Sequence, residues 1–191
     1  MTMTRVELSI TAPSSARAHF AASSATAKAF FGNHADDIAR SCQSLAARFE
    51  KGGRLLVCGE GAQRSDVAHV VVEFLHPVVV GKRALPAIAL HGYSARDAAA
   101  YFETFARAED ILMVLCAGTL DARLSELVAA ARERGVLTVV LTGEGDATRA
   151  VDHPFAVPSR DAFVVQETHE MLYHILWELT HVFLDHRGSP S

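Results

Sequence analysis

The 191-residue chain is poor in the features that would place it quickly. It has three cysteines, Cys42, Cys58 and Cys116. The number is odd, and Cys58 and Cys116 close apolar runs, so a disulfide framework is excluded and a reducing, cytoplasmic compartment is expected. Lysine occurs only at Lys28, Lys51 and Lys82, which leaves no polybasic patch for a membrane surface. A net charge of -4 and a pI near 6.2 argue against nucleic acid as a partner. No apolar run approaches the roughly 18 residues that a transmembrane helix needs. The opening stretch MTMTRVELSITAPSSARAHF lacks a signal-peptide hydrophobic core. Internal repeats and low-complexity tracts are missing as well.

What is present points to a packed globular chain. Hydrophobic residues make up 50% and charged residues 21%, which excludes wholesale disorder. At roughly 150 residues per domain the length fits a single domain. Residues 1–13 read as a loose arm and residues 14–50 as two helices. The second of these, from Asn33 to Glu50, places Ile38, Cys42, Leu45, Ala46 and Phe49 at helical spacing and stops at Gly52 and Gly53.

A regular alternation follows. Strands are expected at 54–59, 86–90, 110–116, 136–143 and, more weakly, 153–157. Helices are expected at 65–75, 94–106 (capped by Ser94), 121–134 (capped by Asp121 and ended by Gly135) and 162–186. Strands apolar on both faces, alternating with helices, predict an α/β fold with a parallel sheet covered on both sides. Ligands of such sheets bind at the carboxyl ends of the strands, near a switch point.

Three segments carry candidate chemistry. CGEGAQRSD (58–66) is a glycine turn from strand to helix, suited to an anion through backbone N–H groups and Arg64, although Glu60 opposes one. It is not a dinucleotide fingerprint, because the third glycine position holds Arg64. The same glycines equally fit a plain tight turn. Second, His69 and Glu73 stand at i, i+4 in the otherwise apolar AHVVVEFL, where a carboxylate needs a partner. Such a pair can hold a metal, act as an oriented base, or form a surface hydrogen bond. Third, 166–186 carries His169, His174, His181 and His186, four of the ten histidines. HExxH fails there because Tyr173 stands where the second histidine is required. Gln166 and His174 fall near one face, about 12 Å apart along the axis. Packing by Leu172, Leu176, Leu179 and Phe183 with solvated histidines is the plainer alternative. Cys116 ends a strand with nothing nearby to favour a thiolate, and Trp177 reads as a core or interface anchor.

RLLVCGEGAQRSDVAHVVVEFL, LPAIAL, DILMVL, LVAAARERGVLTVVLTG and VVQETHEMLYHIL together resemble the sugar isomerase (SIS) domain family, in its phosphoheptose isomerase branch. The resemblance covers nearly the whole chain and implies a five-stranded parallel sheet, doubly wound between helices, over 14–191. It also implies a homotetramer (or dimer) with sites at subunit contacts. The activity it implies is aldose–ketose isomerisation of a sugar phosphate of the sedoheptulose 7-phosphate type. Zinc on two His, one Glu and one Gln would fall on His69, Glu73, Gln166 and His174, with Glu73 as base and His174 as acid. Proton transfer through an enediol requires such a pair.

The sequence departs from the family at the anion seat. The family's STSGNS loop falls on Cys116-Ala117-Gly118-Thr119-Leu120-Asp121, its first-loop serine on Gln63 and its asparagine on Glu60, and the stretch from Leu90 to Asp110 is shorter. The remaining candidate substrate contacts are Gly61, Gln63, Arg64, Thr119 and backbone N–H groups, few for a phosphate dianion. Isomerase, non-isomerising metal-binding protein (sensor, carrier or accessory subunit) and regulatory sugar-phosphate-binding module are the competing readings.

Overall fold

A computed structural model describes residues 11–59, 61–77, 79–90, 95–145 and 150–187. The arm before Thr11, the Ser94 cap and Glu60 lie outside the described residues. The first element, α1 (Thr11–Glu50), is one helix of 40 residues where two were expected. It also begins inside the expected arm, with Pro13 in the first turn, where a missing N–H goes unused. The ladder continues through Gly32 and Asn33. A helical glycine costs about 1 kcal/mol against alanine. Burial on both sides outweighs it: Phe30 packs edge-on against Phe155, and Ile38 and Cys42 enter the core further along.

The alternation then runs β1 (Leu55–Gly59), α2 (Gln63–Leu75), β2 (Ala87–Ala89), α3 (Ala95–Phe105), β3 (Ile111–Leu115), α4 (Ala122–Glu133), β4 (Leu137–Thr142), β5 (His153–Ala156) and α5 (Ala162–Arg187). The five strands form one parallel sheet in the order β2-β1-β3-β4-β5. The order reverses between β1 and β3, and Gly59 pairs with Leu115 at the carboxyl end of that boundary. The expected doubly wound parallel sheet, the Asp121 cap and the stop at Gly135 are all present.

Alternate strand residues feed two apolar layers. Leu55, Val57, Ile111, Met113, Val139 and Leu141 pack with α1, α2 and α5. Leu56, Cys58, Leu112, Val114 and Val140 pack with α3 and α4. One ion pair ties the amino ends of β1 and β3. Asp110 accepts from Arg54 Nη2 at 2.7 Å, from the Arg54 amide at 2.8 Å and from the Arg107 amide at 2.9 Å. Burial pushes the Asp110 pKa up, but the guanidinium and the amides outweigh it, so the net direction is down.

This pair makes a prediction. Asp110→Ala strands the Arg54 guanidinium and should cost about 3 kcal/mol in urea unfolding at neutral pH. A depressed folded pKa means that the contribution is complete above the unfolded value near 3.9 and fades as pH falls through the folded one. The gap between wild type and Asp110→Asn should therefore narrow in acid. A constant gap from pH 7 to pH 3 would refute this account.

Candidate functional site

The side chains that converge come from the facing surfaces of α2 and α5. Both helices follow strands of a parallel sheet, so both run back from its carboxyl edge in the same direction. Three levels result. Nearest the edge, Gln166 Nε2 donates to Asp66 Oδ1 at 3.0 Å. Next, His69 Nδ1 lies 2.9 Å from Tyr173 Oη and 3.8 Å from Glu170 Oε1. Lowest, His174 Nε2 lies 4.0 Å from Glu73 Oε1. The lower two levels are joined by His69 Nε2, which is 3.4 Å from both His174 Nε2 and Glu73 Oε1.

His69, Glu73 and His174 are thus brought together as the resemblance implies. Gln166 stands one level higher, its amide held by Asp66. Around tetrahedral zinc, with bonds of about 2.0–2.1 Å, neighbouring ligand atoms are about 3.3 Å apart. Two separations of 3.4 Å and one of 4.0 Å fit that spacing. With Nε2 given to a metal, His69 Nδ1–H donates to Tyr173 Oη, an outer partner that fixes the ring. His174 lies between two grooves of about 500 Å³ each, one shared with Glu170 and His19, the other with Glu73 and Trp177.

Three residues here were not singled out as site residues from sequence: Asp66, Glu170 and Tyr173. Glu170 had a visible signal, because it stands at i, i+4 from His174 just as His69 does from Glu73. Asp66 is buried, which pushes its carboxyl pKa up, while the Gln166 amide works against this. Burial likewise pushes the Tyr173 phenol up, so it remains a neutral hydrogen-bonding group at neutral pH.

The remaining C-terminal histidines divide. His169 is buried with Nε2 at 3.1 Å from the Thr142 carbonyl, and burial lowers its pKa to about 4. His181 is buried against the Trp177 ring and the carbonyls of Trp177 and Arg83, while His186 is exposed. The expectation of solvated histidines along a packed helix therefore fails for two of the four. Trp177 is a core residue, and Cys116 Sγ points to the Thr119 carbonyl at 3.2 Å.

The anion seat lies elsewhere, at the carboxyl edge. Gly59 packs so tightly that an added Cβ would lie 2.9 Å from the Leu115 carbonyl, and Gly61 turns the chain at φ 58. Gly61, Arg64 and Thr119 are exposed there, whereas Gln63 is buried. Asp121 Oδ1 accepts from the Leu124 amide at 2.8 Å, so its own carboxylate already serves the start of α4. At 1.5 Å per residue, Glu73 is about 14 Å along α2 from Arg64. The His69–Glu73–His174 cluster is therefore not at the strand ends, where ligands of such sheets commonly sit.

A family model described as "SIS domain" matches residues 18–143. The phosphoheptose isomerase of Thermodesulfovibrio yellowstonii is 31% identical over 165 residues, covering 78% of this chain and 82% of the relative. That of Solidesulfovibrio magneticus is 27% identical, covering 81% and 82%. Among solved structures, the phosphoheptose isomerase of Francisella tularensis superposes with a TM-score of 0.78 at 23% identity, over 90% of this chain and 98% of that one. The enzyme of Neisseria gonorrhoeae gives 0.77 at 22%, over 88% and 97%.

Tyr173→Phe isolates the outer partner. It should cost about 1 kcal/mol of stability and release the His69 ring, seen as a change in its Nδ1/Nε2 nitrogen shifts. An unchanged His69 spectrum would show that the phenol does not hold the ring.

Proposed function

The chain belongs to the SIS domain family, on its phosphoheptose isomerase branch, and from that premise we propose that it is a metal-assisted aldose–ketose isomerase acting on a sugar phosphate of the sedoheptulose 7-phosphate type. The observation that carries this reading is the meeting of Glu73 Oε1 with His69 Nε2 and His174 Nε2, all within 4.0 Å. Zinc bound by His69, Glu73, Gln166 and His174 would supply positive charge to polarise the sugar carbonyl.

In this mechanism Glu73 takes the proton from the carbon beside the carbonyl and returns it to the neighbouring carbon. His174 gives a proton to the oxygen on which negative charge develops and recovers one from the hydroxyl that becomes the new carbonyl; with Nε2 given to a metal, Nδ1 would be the ring nitrogen that carries that proton. Glu73 is the less exposed of the two, at 17% against 42%, which shields the carried proton from exchange with water. Gly61, Gln63, Arg64 and Thr119 would receive the phosphate end. A seven-carbon sugar carries its carbonyl and its terminal phosphate at opposite ends, in keeping with a cluster partway down α2 and an anion seat at its start.

Assembly as a homotetramer with sites at subunit contacts is what the family resemblance implies, and exposed Phe20 and Phe163 are residues such contacts could cover. The three unbridged cysteines suit a cytoplasmic protein.

A second reading, a metal-binding protein that no longer isomerises, is favoured by Asp121. Its carboxylate occupies the amide a phosphate would use at α4, and Thr119 is the one hydroxyl side chain left in 116–121. The deciding measurement is turnover of sedoheptulose 7-phosphate by zinc-loaded protein. The isomerase reading expects turnover that falls roughly 100- to 10,000-fold in Glu73→Gln. Zinc held without turnover would sink it in favour of the second reading.

A further inference from the structure

Resting on the metal reading above, we propose that Glu170 is a further metal ligand, so that two imidazoles and two carboxylates flank the centre. On α5, Gln166, Glu170 and His174 stand about one turn apart on the side that, with Tyr173, meets α2. Gln166 is two turns from His174, about 12 Å along the axis, and its Nε2 donates to Asp66. Glu170 is one turn from His174. One ligand atom from each of His69, Glu170 and His174 lies within 4.8 Å of the other two.

Glu170 is not the partner that orients His69. Tyr173 Oη occupies His69 Nδ1 at 2.9 Å, whereas the Glu170 carboxylate is 3.8 Å away, beyond hydrogen-bond distance. Glu73 approaches the same ring from Nε2. The two histidines are thus flanked by one carboxylate from each helix. Two carboxylates balance the charge of a divalent ion, which one carboxylate and a neutral glutamine amide do not. Oxygen donors of this kind suit zinc and also harder ions such as manganese.

The test is zinc binding to the full-length protein, measured by competition with a chromophoric chelator, together with the visible spectrum of the cobalt-substituted form. Glu170 is half exposed on a helix surface, so Glu170→Gln should fold, which thermal unfolding checks. The expected result is zinc affinity weakened by roughly 10- to 100-fold, at least what loss of an outer partner produces, with an altered cobalt spectrum. Wild-type affinity and an unchanged spectrum in Glu170→Gln, beside clear loss in Glu73→Gln, would overturn the assignment of Glu170 and leave the metal reading standing. Wild-type protein that binds no zinc would overturn both.

Discussion

The arrangement depends on α2 and α5 running in the same direction. Each follows a strand of a fully parallel sheet, so each starts at the carboxyl edge and descends over the same layer. Residues at matching depth then meet level by level: Asp66 with Gln166, His69 with Glu170 and Tyr173, Glu73 with His174. Had one helix been reversed, the i, i+4 pair of α2 would face unrelated positions. A pair that alone could be a surface hydrogen bond becomes, through this parallel descent, half of a four-residue cluster.

Burial grades the chemistry along those levels. Asp66 is closed in, its Oδ2 without a hydrogen-bond partner, and it serves to hold an amide. Glu73 and His174 are partly open to solvent. The separations among His69, Glu73 and His174 match the spacing of ligand atoms around tetrahedral zinc, independently of family likeness.

Much of this was legible in the sequence because it depends on local pattern. Apolar runs bounded by Gly and Pro gave away the strands, Asp121 its helix cap, and the spacing of His69 and Glu73 their shared face. The continuity of α1 was not legible, because Gly32 and Asn33 are weak helix formers and only burial of Phe30 and Ile38 in the finished core overrides them. Tyr173 and Asp66 were hidden for a related reason. A tyrosine and an aspartate amid helical residues have no local mark of function, and their partners lie about 100 residues away.

The sheet explains how one half of the site can change while the other is kept. The rigid elements are the buried strands and the Arg54–Asp110 pair at their amino ends, far from the carboxyl-edge loops. His69, Glu73 and His174 hang from helices that pack on those strands, so their geometry is set by the core. The anion seat, by contrast, is made of the turn after β1 and the 116–121 loop, whose exposed side chains contribute little to the core. Cys116, Gly118 and Asp121, where the resembled STSGNS loop has serines, leave the α2–α5 pairing untouched. Asp121 even strengthens α4 by capping it. The carboxyl-edge loops and the His69–Glu73–His174 cluster thus rest on separate parts of the fold, and a change in one need not disturb the other.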